Sequence, residues 1–139
     1  MTELDALQAT LAGEHAAVYA YGVVGARLEG RPEQRAARSA YDTHRQRRST
    51  LASMITAAGA TPVAAAPAYD VGGTVPTAAA ARALAGRVEH GAAQTYADLV
   101  GAGRDATRTM GSTWLADAAV REAGWTGAVP TFPGLPATP

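Results

Sequence analysis

The chain has 139 residues, no cysteine, and twelve basic against twelve acidic side chains, so its net charge is zero with histidine neutral. That length fits one domain able to bury about two thirds of its unfolded surface, and the missing cysteines exclude disulfides and thiolate metal sites. Every basic side chain is arginine, a bias that fits a high-GC genome, and the balanced charge supplies no overall field toward nucleic acid or anionic lipid.

Residues 1–14 carry acids and no base, the reverse of an export or transit signal, so a cytoplasmic setting is expected. The first helix is predicted over residues 2–28. Thr2-x-x-Asp5 can cap it, and Leu4, Leu7, Leu11, Glu14, Val18, Tyr21, Gly25 and Leu28 form one stripe at three- and four-residue spacings. Gly30 and Pro32 break the chain, and Pro32 suits the first turn of a second helix. Ala37, Tyr41, His44, Arg48, Leu51, Ile55 and Ala58 give that helix its stripe, which Gly59 ends.

Residues 49–69 are uncharged and of membrane-spanning length, but Gly59, Pro62 and Pro67 interrupt them, so no membrane partner is expected. A third helix starts after Thr77, a good cap, and presents Ala85, Glu89, Ala92, Tyr96 and Leu99 on one face. A fourth covers residues 105–124, where Met110, Trp114, Leu115, Ala118, Val120 and Trp125 choose no single stripe. The tail, residues 126–139, repeats proline at Pro130, Pro133, Pro136 and Pro139, which favours polyproline II geometry. Trp125, Phe132 and Leu135 are expected to pack that tail onto the bundle.

Short connections make the first and second helices one antiparallel hairpin and the third and fourth another. Between the hairpins lie residues 59–76. Extended, they reach up to about 60 Å, against about 40 Å for the longest helix, so they can cross the whole bundle. The expected architecture is an all-α four-helix bundle over residues 1–125.

The halves also resemble each other. A shift of 75 residues superposes Glu14, His15, Ala17 and Tyr21 on Glu89, His90, Ala92 and Tyr96, and Asp42 on Asp117. Duplication of a hairpin explains this, with pseudo-twofold symmetry as its consequence.

Glu14 and Glu89 occupy core stripe positions, where an ionised carboxylate needs a partner or a metal. In carboxylate-bridged di-iron bundles, each hairpin supplies a Glu from its first helix and a Glu-x-x-His from its second. The second helix here has Tyr41-x-x-His44 at that place.

The LAGEHAAVYAYGV helix, the YDTHRQRR segment, the GATPVAAAPAY crossover and the WTGAVPTFPGLP tail together touch nearly the whole chain. On these segments the chain resembles the ferritin-like superfamily, and specifically a bacterial, actinobacterial ferritin-like domain family of unknown function. The resemblance implies a ferritin-like bundle with one long crossover, and no activity. Of its metal ligands, it carries over Glu14, His44 and Glu89. Tyr41 stands in place of a bridging carboxylate, and Ala116 and Ala119 stand where the second Glu-x-x-His belongs.

With half of a di-iron ligand set missing, a degenerate, metal-free core is the favoured expectation, with no cofactor. Arg48, one turn beyond His44, is the candidate cation that neutralises Glu14 and Glu89, helped by His44 or Tyr41. His15 and His90 point about 100° away from the glutamates and belong at the edge of the core. Arg31, Arg35, Arg38 and Arg45 form a basic stripe expected to face solvent, with Arg47 beside it.

No Ser-His-Asp or Cys-His arrangement is present, and the glycines at Gly72 precede no lysine, so hydrolase and nucleotidase readings are weak. A non-catalytic protein acting through association is expected, a homodimer through Ala16, Ala20, Gly25 and residues 78–81 being one form of it. The rival is an iron or manganese oxidoreductase or storage protein using Glu14, His44 and Glu89. A nucleic-acid contact through the arginine stripe is the disfavoured third reading. Ala116 and Ala119 could leave room for a small molecule.

Overall fold

The structure is a computed structural model and describes residues 1–128 and 130–136. Four helices carry it: α1 (Glu3–Gly25), α2 (Arg31–Ala57), α3 (Ala78–Ala102) and α4 (Asp105–Thr126). Their ends follow the local chemistry. The Thr2 hydroxyl accepts from Asp5 N while the Asp5 carboxylate accepts from Thr2 N, a complete capping box. Pro32 lies in the first turn of α2, where a missing N–H costs nothing. Thr77 caps α3 through Ala80 N. For α4 the cap comes from another helix, since the Glu3 carboxylate accepts from Arg104 N and from the Thr107 hydroxyl. None of the helices is long and apolar enough to cross a membrane.

Each hairpin is antiparallel, and so are α1 and α3. Thr10 and Gly13 of α1 meet Thr95 near the end of α3, whereas Val24 and Leu28 pack with Ala81 and Leu84 at its start. The 20-residue connection 58–77 therefore crosses the length of the bundle, as its reach allows. It lies along α1. Gln8 donates to Thr61 O and accepts from Val63 N, the His15 ring bonds Val63 O at 3.0 Å, Tyr19 and Tyr69 pack ring to ring, and Arg87 reaches Val71 O. His15 is thus half-buried at the core edge, as expected from its position, and fastens the crossover.

The apolar core is split in two. One cluster gathers Leu7, Leu11, Leu51, Ile55, Ala93, Tyr96, Leu99 and Ala118. The other gathers Ala20, Tyr21, Val24, Leu28, Ala37, Ala40, Ala81, Leu84 and Ala85 at the opposite end. Small residues allow the close approach. A Cβ on Gly86 would lie 2.5 Å from Thr126 Cγ2, and one on Gly111 would lie 3.1 Å from Tyr96 O, so α3 and α4 need both glycines. Ala20 and Ala81, expected on an external small-residue face, are spent inside the bundle instead.

The 75-residue repeat is visible in burial. Ala6 and Ala81, Thr10 and Ala85, Leu11 and Gly86, Glu14 and Glu89, Tyr21 and Tyr96, and Val24 and Leu99 are buried in both halves.

The tail differs from its expectation. Trp125 packs on the second cluster, but Phe132 and Leu135 are 64% and 54% exposed. Contact is made by Gly134, at φ 78°, whose Cβ would lie 2.5 Å from Ala93 O. Leu135 N bonds Phe132 O, so residues 132–135 turn rather than extend. A turn that seats its glycine on α3 throws the flanking apolar side chains outward. Pro139 lies outside the described residues.

Candidate functional site: a buried ring of charges

Between the two apolar clusters lies a polar layer. Glu14 on α1, His44 on α2 and Glu89 on α3 are fully buried at mid-helix, as their stripe positions predict. His44 stands between the two carboxylates: Nδ1–H donates to Glu14 Oε2 at 2.7 Å and Nε2–H to Glu89 Oε1 at 3.2 Å. Making both bonds requires a proton on each nitrogen, hence an imidazolium. Burial opposes that charge, but the bonds to Glu14 and Glu89 outweigh it and raise the His44 pKa from 6.5 to about 9.

The tyrosines cross between the halves. Tyr21 of α1 donates to Glu89 Oε1 of α3 at 2.5 Å, and Tyr96 of α3 donates to Glu14 Oε1 of α1. Each Glu and the Tyr seven residues later share a helix face, so the repeated Glu–Tyr pair produces the exchange twice. Burial first, then the neighbouring glutamate, holds both phenols well above the ordinary tyrosine pKa. Both are donors at any physiological pH. Their rings belong to opposite apolar clusters and border the polar layer, the Tyr21 ring stacked on His44 with centres 5.5 Å apart.

Two arginines complete the layer. Arg47 of α2 donates to the Tyr96 hydroxyl at 3.1 Å and to Asp117 of α4, and its guanidinium lies 5.1 Å and 5.0 Å from the Tyr96 and Trp114 ring centres. Arg121 of α4 bonds Asp117 at 2.7 Å and Glu89 Oε1 at 3.0 Å. The chain of contacts Glu89–His44–Glu14–Tyr96–Arg47–Asp117–Arg121 therefore returns to Glu89. It is a closed ring drawn from all four helices. Its charges alternate in sign around Tyr96 and sum to zero with His44 protonated. Despite the opposing effect of burial, the cations hold the Glu89 and Asp117 carboxyls below their ordinary range, and the two carboxylates push Arg121 up.

Outside the ring, Trp125 Nε1–H donates to the Tyr21 hydroxyl at 3.0 Å, and His90 bonds Glu122 at 3.1 Å at the core edge. Glu89 Oε2 and Arg121 Nη2 are buried without a partner. They are the two atoms that would turn the single Glu89–Arg121 bond into a side-on bidentate pair. The ring reaches solvent mainly at Asp117, whose side chain is 42% exposed. There a groove of about 430 Å³ opens between Thr43, Gln46 and Thr50 on α2 and Thr113 and Trp114 on α4.

Two of the predicted site residues lie elsewhere. Tyr41 is half-buried beneath Arg38 and Arg45, and Arg48 makes no bond to either glutamate among the described residues. Both corrections have one cause. From Ala37 through His44 to Leu51, a three-four alternation can pass through Tyr41 and Arg48 or through Ala40 and Arg47. The second path is the buried one. Arg47, taken from the sequence as an outer residue, is consequently the buried cation. Ala116, aligned with Tyr41 by the repeat, is likewise exposed, while Ala119, aligned with His44, is buried. Arg31, Arg35, Arg38 and Arg45 face solvent as expected.

Tyr21 and Tyr96 carry a sequence signal, a stripe position seven residues after a repeated glutamate, although that signal does not show that each bonds the other half's carboxylate. Arg121 carries none, since Asp117-x-x-x-Arg121 looks like any surface pair.

Among the described residues, no three His, Asp or Glu side chains converge where a metal ion would sit. The two nitrogens of an imidazole point to opposite sides of the ring, so Glu14 and Glu89 flank His44 instead of sharing a point with one of its lone pairs.

A family model described as a domain of unknown function (DUF4439) matches residues 6–137. The chain is also similar to a conserved hypothetical protein, rv2844, from Mycobacterium tuberculosis, at 34% identity. Its crystal structure matches with a TM-score of 0.85 over 90% of this chain and 95% of that one. A search of curated proteins finds no match. With nearly its whole length matched, the chain belongs to the DUF4439 family.

Proposed function

We propose that this domain is a ferritin-like bundle whose dinuclear metal centre has been replaced by the ring of ion pairs, and that it acts by binding macromolecules rather than by catalysis. The observation that carries this reading is charge closure. Glu14 and Glu89 stand on the first helix of each hairpin, where a ferritin-like bundle supplies its terminal carboxylates, and a long crossover joins the hairpins. The positive charge that balances them belongs to His44, Arg47 and Arg121.

The donor set does not fit a dinuclear site. His44 uses both nitrogens as donors, Tyr41 and Ala116 supply no bridging carboxylate, and two guanidiniums within the layer repel a divalent cation. A metal held by Glu14, His44 and Glu89 would require a neutral, reoriented His44. Apart from Glu89 Oε2 and Arg121 Nη2, the buried donors and acceptors of the ring are engaged with one another, which supports a rigid scaffold better than acid–base work. A cysteine-free chain fits a cytoplasmic setting, and a homodimer is one form such association could take.

Elemental analysis of protein purified without chelator tests the reading. We expect far less than one equivalent of iron or manganese, and a melting temperature that neither EDTA nor added Fe²⁺ or Mn²⁺ moves. A stoichiometric metal that is lost on Glu14→Ala and Glu89→Ala substitution would overturn it.

A further inference from the structure

The surface between α1 and α2 holds two adjoining hollows, of about 260 and 570 Å³, that share Gly22 and Tyr41. Their floor is glycine. A Cβ on Gly22 or Gly25 would meet no atom within 4 Å, unlike one on Gly86 or Gly111, which would collide with a neighbouring helix. Glycine inside a helix costs about 1 kcal/mol relative to alanine, and packing within the chain does not account for that cost at Gly22; Gly25, the last residue of α1, extends the same open floor. Gly91, Gly101 and Gly124 are equally open, so an open glycine by itself marks nothing. The surroundings of Gly22 and Gly25 set them apart.

Tyr41 forms the wall of both hollows, and the Arg38 and Arg45 guanidiniums lie 5.7 and 5.6 Å from its ring centre. Arg27 lines the larger hollow, and Arg31 and Arg35 continue the exposed face of α2. Among the described residues Arg27, Arg31, Arg35 and Arg45 form no ion pair, Glu33 is taken by Arg82, and Arg38 has only the exposed Asp42. At the groove itself, Arg27 in its lining and Arg45 over Tyr41 are therefore uncompensated among the described residues, with Arg38 beside them, in a chain of zero net charge.

We propose that this groove docks an acidic segment of a partner protein, with an apolar side chain set over Gly22 and Gly25 and carboxylates on the arginine rim. The inference rests on the reading of the domain as a binder and names the surface and the partner chemistry. Arg45 lies 5.6 Å from the Tyr41 ring centre with no ion pair among the described residues, so its N–H groups can take a carboxylate, while Arg38 on the same ring holds Asp42 through Nε and has its Nη groups to offer. A nucleic acid fits less well, because Glu29, Glu33 and Asp42 interrupt the stripe and break a continuous phosphate track.

The test is titration of the full chain with a labelled peptide of repeated Glu-Glu-Leu-Glu, read by anisotropy and amide NMR at low salt. A Lys-Lys-Leu-Lys peptide and an oligothymidylate serve as comparisons. We expect shifts centred on Gly22, Gly25 and Tyr41, no binding of the basic peptide, and at least tenfold weaker binding on Gly22→Leu and on combined Arg27→Ala and Arg45→Ala. Gly22→Leu enters empty space and improves helix propensity, so it keeps the fold and blocks only the groove. Absent binding, binding indifferent to Gly22→Leu, or tighter binding of oligothymidylate at the same residues overturns the proposal. Metal content is measured on the same sample, so failure here is distinguishable from failure of the metal-free reading.

Discussion

The two hairpins match in one helix and differ in the other. Their first helices, α1 and α3, still mirror each other, with Glu14 and Glu89 buried at equivalent positions and Tyr21 and Tyr96 each donating to the other half's carboxylate. Their second helices do not: α2 contributes His44 and Arg47, whereas α4 has Ala119 opposite His44 and supplies Asp117 and Arg121. The symmetric pair places two negative charges in the core, and the asymmetric pair supplies the compensation. Two similar hairpins can therefore hold matched buried acids while unlike groups neutralise them, as long as the layer's total charge stays balanced.

The severest way to break this arrangement is His44→Leu, which leaves two buried carboxylates without the cation between them. We expect a loss of about 3–5 kcal/mol in urea unfolding at pH 7. The same contact gives the unmodified protein a pH signature. With the folded His44 pKa at about 9 and the unfolded value near 6.5, its contribution of roughly 3 kcal/mol is complete below pH 6.5 and disappears as pH rises through 9. Glu89 and Asp117, whose folded pKa values are lowered, contribute fully above about pH 4.5 and lose that contribution as pH falls further. The urea midpoint should form a plateau near pH 6 with a decline on both sides; a midpoint unchanged between pH 6.5 and 9.5 would contradict an ion-paired His44.

A smaller effect separates neighbouring residues on α2. Arg47→Met removes a buried cation bonded to Tyr96 and Asp117 and should cost about 3 kcal/mol, while Arg48→Met should stay within about 0.5 kcal/mol. Equal losses would place the buried ridge wrongly. Smallest are Tyr21→Phe and Tyr96→Phe, each expected to cost about 1–2 kcal/mol by leaving a carboxylate oxygen short of a donor. Tyr96→Phe should be the larger, because the Tyr96 hydroxyl accepts from the charged Arg47 where Tyr21 accepts from the neutral Trp125 indole, and because Glu89 Oε1 keeps His44 and Arg121 as donors when Tyr21 is lost. Thermal unfolding of both variants and their double mutant would show whether the two halves still behave alike.

Much of the fold was legible before any coordinates. Thr2, Pro32 and Thr77 mark helix starts by local chemistry, and the length between the hairpins requires a crossover that spans the bundle. Glu14 and Glu89 were legible because apolar residues flank each on its stripe, and His44 because both periodic paths along α2 pass through it. Arg47 and Arg48 were not separable. Adjacent residues lie 100° apart on a helix, and only the position of α4 decides which of two equally periodic ridges is covered. The tail misled for a related reason: spacing of prolines and aromatics implied packing by large side chains, whereas the docking residue is Gly134, whose fit depends on the surface it touches.

The closed ring also bears on how this protein can change over time. Every member is held by at least two others, so any single replacement strands its partners in a buried layer, and viable substitutions must arrive in combination. Alleles that alter one of Glu14, His44, Arg47, Glu89, Asp117 or Arg121 therefore face selection before a compensating change can arise. The centre is thus constrained by its own closure, a demand that the solvent-facing side chains outside the ring do not share.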